Sequence, residues 1–146
     1  MKKEIQDFID SKRIAIMGAS RTGKKFGNMI ADELKPKGYE VFLVHPEAKE
    51  INGQVCYPNI ATLKDKVDAV LICLPPAKAK QAVQDAADAG LKKIWLQQGS
   101  QSPEVLALAK QLGLSTVAGK CIMMYADPVS SLHGWHKAFA KIFGQY

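Results

Sequence analysis

The sequence has few of the features that mark secreted, metal-stabilised or membrane-spanning proteins. Its 146 residues include three cysteines, Cys56, Cys73 and Cys121, and no two of them form a Cys-x-x-Cys pair. This spacing argues against a disulfide framework and against a structural zinc site, so we expect reduced thiols. No apolar run approaches the roughly 18 residues that span a bilayer. The charged start, MKKEIQDFIDSKR, is unlike a secretory signal, so a cytoplasmic protein without a membrane segment is expected.

The sequence also lacks a concentrated basic tract, although its formal net charge is +6. The lysines are dispersed along the chain, which does not indicate a nucleic-acid arm and suits a small polyanionic ligand. His133 and His136 are three residues apart, but no further metal ligands can be placed beside them. We therefore predict neither a metal site nor a catalytic constellation, and homo-oligomer formation is left open.

Short apolar runs alternate with helix-like segments along the chain. In order they read RIAIMG, KKFGNMIADELK, YEVFLVHP, VDAVLICLPP, AKQAVQDAADAG, KKIWLQQG, SPEVLALAKQLG and LSTVAG. Buried runs separated by amphipathic helices indicate βαβ units around a parallel sheet. We predict one α/β domain over residues 1–146, with a Rossmann-like, doubly wound, mostly parallel five-stranded sheet and helices on both faces.

Residues typical of helix ends agree with this prediction. Gly38, Gly90 and Gly113 each follow a helical pattern at the position where a left-handed residue ends a helix. Ser102 supplies an N-cap, and proline follows it at the first helical position. The last segment, GWHKAFAKIFGQY, has apolar residues at helical spacing, so we predict a C-terminal helix docked on the body. The alternative is a partner-binding helix.

The turn after the first strand is the candidate ligand site. In an open parallel sheet, ligands bind beyond the carboxyl ends of the strands where the strand order reverses. Gly18, Ala19 and Ser20 leave the first strand, so their amides and the following helix end can face a phosphate. Arg21 and Lys24 add positive charge nearby.

Two standard phosphate-binding patterns fit this turn incompletely. Gly18 to Lys24 matches a P-loop except at the last position, where Lys25 lacks the hydroxyl that holds magnesium. A dinucleotide fingerprint would have glycine in place of Ser20 and an acidic residue after the second strand, where the chain has Val44-His45-Pro46. A missing carboxylate suits a nucleotide whose ribose carries a phosphate, such as NADP or coenzyme A.

Five segments in order resemble the stand-alone CoA-binding proteins, whose domain is similar to the N-terminal CoA-binding module of succinyl-CoA synthetase alpha subunits. They are GAS after the first strand, GYEVFLVHP with a later ING-x-x-CYP, LPP, IWLQQG and GKCIMM, between about residues 12 and 124. The family more often has Asn-Pro where this sequence has His45-Pro46. The resemblance implies a domain that binds coenzyme A or an acyl-CoA, a small-molecule nucleotide ligand.

The resemblance also implies roles for particular residues along the ligand. The phosphate would lie against the turn after the first strand, near Lys24, and the adenosine against the turn after the second strand. Residues after the third strand would form a wall of the groove. The pantetheine arm would lie along the residues after the fourth strand. The residues are Gly18, Ala19, Ser20, Arg21 and Lys24 for phosphate; Val44, His45, Pro46 and Lys49 for adenosine; Leu74, Pro75 and Pro76 for the wall; and Gln98 and Gly99 for the arm.

The expected protein is a binding module without assignable catalysis. We expect neither the ligase domains nor the repressor domain that accompany related modules. The alternative is a small NADP-dependent oxidoreductase. Cys121 is predicted to lie near the same sheet edge, where exchange with the thiol of CoA is a hypothesis and a buried packing role is the favoured reading.

Overall fold

A computed structural model describes residues 2–20 and 26–126 of the chain. Within these ranges the chain forms seven strands and four α-helices. The strands are β1 (Arg13–Met17), β2 (Glu40–Val44), β3 (Glu50–Ile51), β4 (Gln54–Tyr57), β5 (Ala69–Ile72), β6 (Lys93–Gln97) and β7 (Ser115–Lys120). The helices are α1 (Lys2–Ile9), α2 (Phe26–Leu34), α3 (Pro76–Asp88) and α4 (Pro103–Gln111).

The strands form one sheet in the order β3-β4-β2-β1-β5-β6-β7. Neighbouring strands are parallel except β3 and β4, which pair antiparallel. Strand β2 pairs with one edge of β1, and β5, which comes later in the chain, pairs with the other edge. The strand order therefore reverses at β1, which confirms the predicted doubly wound α/β fold and fixes where its crossover crevice lies.

The predicted count of five strands is wrong by two, because the hairpin formed by β3 and β4 was not recognised. Glu50 pairs with Val55 and Ile51 with Gln54 across a two-residue turn. The turn residues, Asn52 and Gly53, have φ of 51° and 80°. Asn-Gly is the favoured pair for such turns, because both positions need positive φ. The two- and four-residue strands are too short to show an alternating pattern of their own.

The buried strands divide the core between the two faces of the sheet. Ile14 and Ile16 of β1 pack on the face covered by α1 and α2, whereas Ala15 between them packs toward α3 and α4. Alternation of side chains along a strand produces this division. On the first face, Phe8 of α1 meets fully buried Trp95, with ring centroids 5.3 Å apart. Burying one such aromatic side chain contributes about 1.5–3 kcal/mol.

The predicted helix ends are confirmed. Gly38, Gly90 and Gly113 all have positive φ, and the Ser102 side chain accepts a hydrogen bond from the Val105 amide at 3.2 Å. In the part of the chain that the structure describes, no helix has the length and apolar character needed to cross a membrane. The predicted C-terminal helix, together with His133 and His136, lies outside the described residues.

Candidate ligand-binding site

A cleft of about 750 Å³ opens at the carboxyl ends of β1, β2 and β5. Its floor is the turn that follows β1, and residues 44–47, from the end of β2 and the turn after it, form one side. Helix α3 and Leu74 line the opposite side, and residues 58–60 complete the rim. The cleft therefore occupies the reversal of strand order, where doubly wound domains bind their ligands.

Seven of the fourteen residues predicted to bind a cofactor line this cleft. They are Gly18, Ala19, Ser20, Val44, His45, Pro46 and Leu74. They come from three separate strand ends, and the fold brings them together as the topology requires. Their roles toward a ligand remain predictions.

The other predicted residues lie beside the cleft or away from it. Pro75 occupies the N-cap position of α3, and Pro76 begins that helix and faces a neighbouring groove with Lys80 and Ser102. Lys49, Gln98 and Gly99 are exposed outside the lining. Arg21 and Lys24 lie outside the described residues, so their predicted phosphate contacts stay predictions.

The turn after β1 is held by two close backbone approaches that require glycine. Gly18 has φ of 124°, and a Cβ there would lie 2.1 Å from the carbonyl oxygen of Cys73. A Cβ on Gly27 of α2 would lie 2.9 Å from the carbonyl oxygen of Gly18. The absence of a side chain at Gly27 thus allows α2 to pack closely against the turn that follows β1. The spacing of glycines in the sequence does not identify Gly27.

Asn28 fixes the peptide groups of Ser20 at the end of this turn. Its Oδ1 accepts a hydrogen bond from the Ser20 amide at 2.8 Å, and its Nδ2 donates to the Ser20 carbonyl at 3.3 Å. The Asn28 side chain is buried in α2. A buried amide that pairs with both peptide groups holds the turn in one orientation. Sequence reasoning missed Asn28, because only the folded chain brings it to Ser20.

The imidazole of His45 caps the turn that follows β2. Its Nδ1 accepts hydrogen bonds from the amides of Glu47 at 3.0 Å and Ala48 at 2.9 Å. A nitrogen that accepts two N–H groups carries no proton, so in the neutral ring the proton sits on Nε2. His45 also lines the cleft. An asparagine oxygen can accept the same amides, as in an Asx turn.

Helix α3 presents a polar face to the cleft. Lys78, Gln81 and Asp85 follow one another at helical spacing and all line it. Gln81 Nε2 donates to Asp85 Oδ1 at 2.8 Å. The cleft also receives Glu47 from the turn after β2, so its charged lining contains one cation and two carboxylates among the described residues. The spacing of residues 78, 81 and 85 was the sequence signal for this face.

Two polar side chains at the end of β6 hold neighbouring backbone in place. Ser100 is buried, and its Oγ accepts a hydrogen bond from the Leu74 amide at 3.1 Å. Gln97 is fully buried, and its Oε1 accepts from the Ile122 amide at 3.1 Å. Gln97 therefore satisfies loop backbone, and Ser100 positions the residue that forms part of the cleft wall.

The three cysteines form no disulfide bond, and their exposure differs. Cys73 is half-buried, whereas Cys56 and Cys121 are buried. Burial, with a smaller contribution from Glu50, raises the pKa of the Cys56 thiol. Cys121 lies directly after β7 at the carboxyl edge, but it is not part of the cleft lining. Its burial agrees with a packing role, and exchange with a ligand thiol remains a prediction.

Over residues 2–20 and 26–126, no cluster of three or more His, Cys, Asp or Glu side chains could hold a metal ion.

Comparison with known proteins identifies the relatives of this fold. Residues 12–127 match the profile of a family described as CoA binding domain. A solved structure of a conserved hypothetical protein from Pyrococcus furiosus is 37% identical, with a TM-score of 0.72, and the match covers 76% of this chain and 96% of that chain. The uncharacterized protein YneT of Bacillus subtilis is 24% identical over 122 residues, which is 83% of this chain and 90% of YneT.

Longer enzymes contain a similar segment. The ADP-forming acetate–CoA ligase of Methanocaldococcus jannaschii is 30% identical over 140 residues. This match covers 90% of the present chain and 19% of the ligase. The chain thus spans about a fifth of the length of the curated ligases that it matches.

Proposed function

This chain belongs to the CoA binding domain family, and from that premise we propose that it binds coenzyme A or an acyl-CoA in the cleft at the ends of β1, β2 and β5. The observation that carries the proposal is the turn after β1. Gly18 and Gly27 allow backbone to approach backbone there, and Asn28 fixes the peptide groups of Ser20. A rigid turn at the crossover point suits a pyrophosphate. Because the Ser20 amide already donates to Asn28 Oδ1, the Ser20 hydroxyl and the neighbouring amides of the turn would contact that group.

The remaining cleft residues divide among the parts of the ligand. In this proposal, Val44, His45 and Pro46 border the adenosine, because the ribose of a bound nucleotide lies against the end of the second strand in doubly wound domains. Leu74, held by Ser100, supplies an apolar wall. The pantetheine arm would pass toward Gln98 and Gly99 at the end of β6, and Arg21 and Lys24 would neutralise phosphate charge.

Binding without a chemical step is the function that these residues support. No described side chains form a nucleophile and base pair within the cleft lining, and His45 Nδ1 is occupied by backbone amides. The ligase activity named for the longer relatives belongs to proteins of which this chain matches about a fifth. We therefore propose a CoA-binding module, whose contribution to any acyl transfer would be to hold the thioester carrier.

A ligand panel tests this proposal against the NADP-dependent alternative. Thermal unfolding is followed with CoA, acetyl-CoA, NADP, NAD, and ATP with magnesium at equal concentrations. A ligand at 100 times its dissociation constant stabilises the folded state by about 2.7 kcal/mol. We expect this stabilisation from CoA or acetyl-CoA and none from NAD or ATP. Stabilisation by NADP alone would favour the oxidoreductase, and stabilisation by ATP with magnesium alone would contradict both assignments.

A further inference from the structure

The ring of His45 stands where doubly wound nucleotide-binding domains read the adenosine ribose. His45 follows β2 directly, and β2 is the neighbour of β1, whose turn forms the floor of the cleft. An acidic residue at this place accepts hydrogen bonds from ribose hydroxyls in NAD-binding domains, and an arginine nearby accommodates a ribose phosphate in NADP-binding ones. The chemistry of the side chain at this position thus selects the ribose.

His45 offers a ligand a donor and no acceptor. The single lone pair of Nδ1 accepts hydrogen bonds from the amides of Glu47 and Ala48, which in the neutral ring leaves the proton on Nε2. Such a ring cannot replace a carboxylate as an acceptor of ribose hydroxyls. It can donate to a phosphate oxygen, and hydrogen bonds to an ionised acceptor are roughly twice as strong as those between neutral groups.

We propose that His45 Nε2–H donates to the phosphate on the adenosine ribose of the ligand and thereby selects CoA over dephospho-CoA, which lacks that phosphate. This inference rests on the proposed function. Lys78 lines the same cleft from α3 and supplies the cationic charge among its described residues. The carboxylates of Glu47 and Asp85 also line the cleft and disfavour an anion there, so we assign the discrimination to the ring nitrogen that the backbone contacts at Nδ1 hold in place.

The substitution His45→Asn separates this role from the capping role. Asparagine Oδ1 keeps an acceptor for the amides of Glu47 and Ala48, as in an Asx turn, but its shorter side chain places its own Nδ2–H donor nearer the backbone and not at the position of Nε2–H. The variant His45→Ala removes the acceptor and the donor together. Gln84→Ala is the matched control, because Gln84 lies on α3 outside the cleft lining and its side chain donates to Asp88.

The experiment is calorimetric titration of wild-type and variant proteins with CoA and with dephospho-CoA. We expect His45→Asn to weaken CoA binding at least fivefold and to leave dephospho-CoA binding unchanged, while Gln84→Ala changes neither. An equal loss for both ligands would overturn the assignment to the ribose phosphate, and so would unchanged affinities. Failure of both ligands to bind the wild-type protein would remove the proposed function itself, and this inference with it.

The tautomer of His45 can be measured without any variant. Two-dimensional ¹H–¹⁵N spectra of the imidazole in the free wild-type protein distinguish a protonated Nε2 from a protonated Nδ1. We expect Nδ1 to show the shift of an unprotonated acceptor and Nε2 that of a donor. A proton on Nδ1 would overturn the inference even if CoA binds, because the ring would then present an acceptor to the cleft.

Discussion

Replacing Gly18 with alanine tests whether the turn after β1 depends on a close backbone approach. The new Cβ would lie 2.1 Å from the carbonyl oxygen of Cys73, well inside the 3.0 Å that Cβ atoms essentially never cross. Because the backbone fixes the position of a Cβ and the carbonyl oxygen is itself a backbone atom, side-chain rotation cannot relieve the overlap. Overpacking of this kind costs about 1–3 kcal/mol, and a side chain forced into a glycine-only backbone region costs a further 1–3 kcal/mol or so.

The expected loss for Gly18→Ala is therefore about 4 kcal/mol of unfolding free energy, a large part of the roughly 5–15 kcal/mol that stabilises a typical domain. At about 2–4 °C per kcal/mol, the midpoint of thermal unfolding should fall by roughly 8–16 °C. Urea titration followed by circular dichroism measures the free energy directly. The matched control is Gly90→Ala, since Gly90 also has positive φ, 81°, but nothing lies within 4 Å of its Cβ position.

The control variant should lose only the backbone strain, about 1–2 kcal/mol. Equal losses in the two variants would show that the contact with the Cys73 carbonyl does not constrain the turn. A Gly18→Ala protein as stable as the wild type would show that the turn after β1 does not require glycine at this position.

Three further predictions concern charge and exposure. Asn28→Asp should weaken CoA binding at least tenfold by calorimetry, because it loses the donor to the Ser20 carbonyl and adds negative charge beside the proposed phosphate site. Hydrogen bonds from Arg13 lower the pKa of Asp68, so the stability that this pair contributes is present above the ordinary carboxyl pKa and is lost as the pH falls through the lowered value. Urea titrations should show Asp68→Asn less stable than wild type at pH 7, with a smaller difference at pH 3. Mass mapping should find Cys73 alkylated before the other thiols, because it alone is half-exposed.

Each of these predictions has a contradicting result. Unchanged CoA affinity in Asn28→Asp would place the phosphates away from Ser20, provided that circular dichroism shows the variant folded. An Asp68→Asn deficit that is the same at pH 7 and pH 3 would mean that the carboxylate charge is not what stabilises the pair. Alkylation of Cys121 before Cys73 would show that the sulfur of Cys121 is accessible and reactive despite its burial.

The sequence predicts those parts of the fold that show a local pattern of apolar residues. Strands β1, β5 and β6 each contain a continuous buried apolar run, IAI, AVLI and IWL, because both faces of each strand are covered. Helix α1 was not predicted, since its segment is charged and only Phe8 and Ile9 are buried there. Contact between Phe8 and Trp95 holds that helix, and residues so distant in sequence leave no local pattern.

The site residues likewise divide into those that the sequence predicts and those that depend on contacts between distant elements. Residues 18–20 and 44–46 were predictable because strand topology alone places the ends of β1 and β2 at one edge. Asn28 and Ser100 were not predictable, because each acts through one hydrogen bond partner on another element. The role of Gly27 likewise depends on how closely α2 approaches Gly18, a distance that spacing in the sequence does not reveal.

Hydrogen–deuterium exchange with and without saturating CoA tests the central claim most directly, because it reports where the ligand binds. We expect slower exchange at the amides of residues 18–20, at those of residues 47 and 48, and at Leu74, with unchanged exchange in the groove between α1 and β7 that contains Lys3 and Thr116. Protection confined to that groove, or no protection at residues 18–20 while CoA is bound, would contradict the assignment of the cleft as the CoA site.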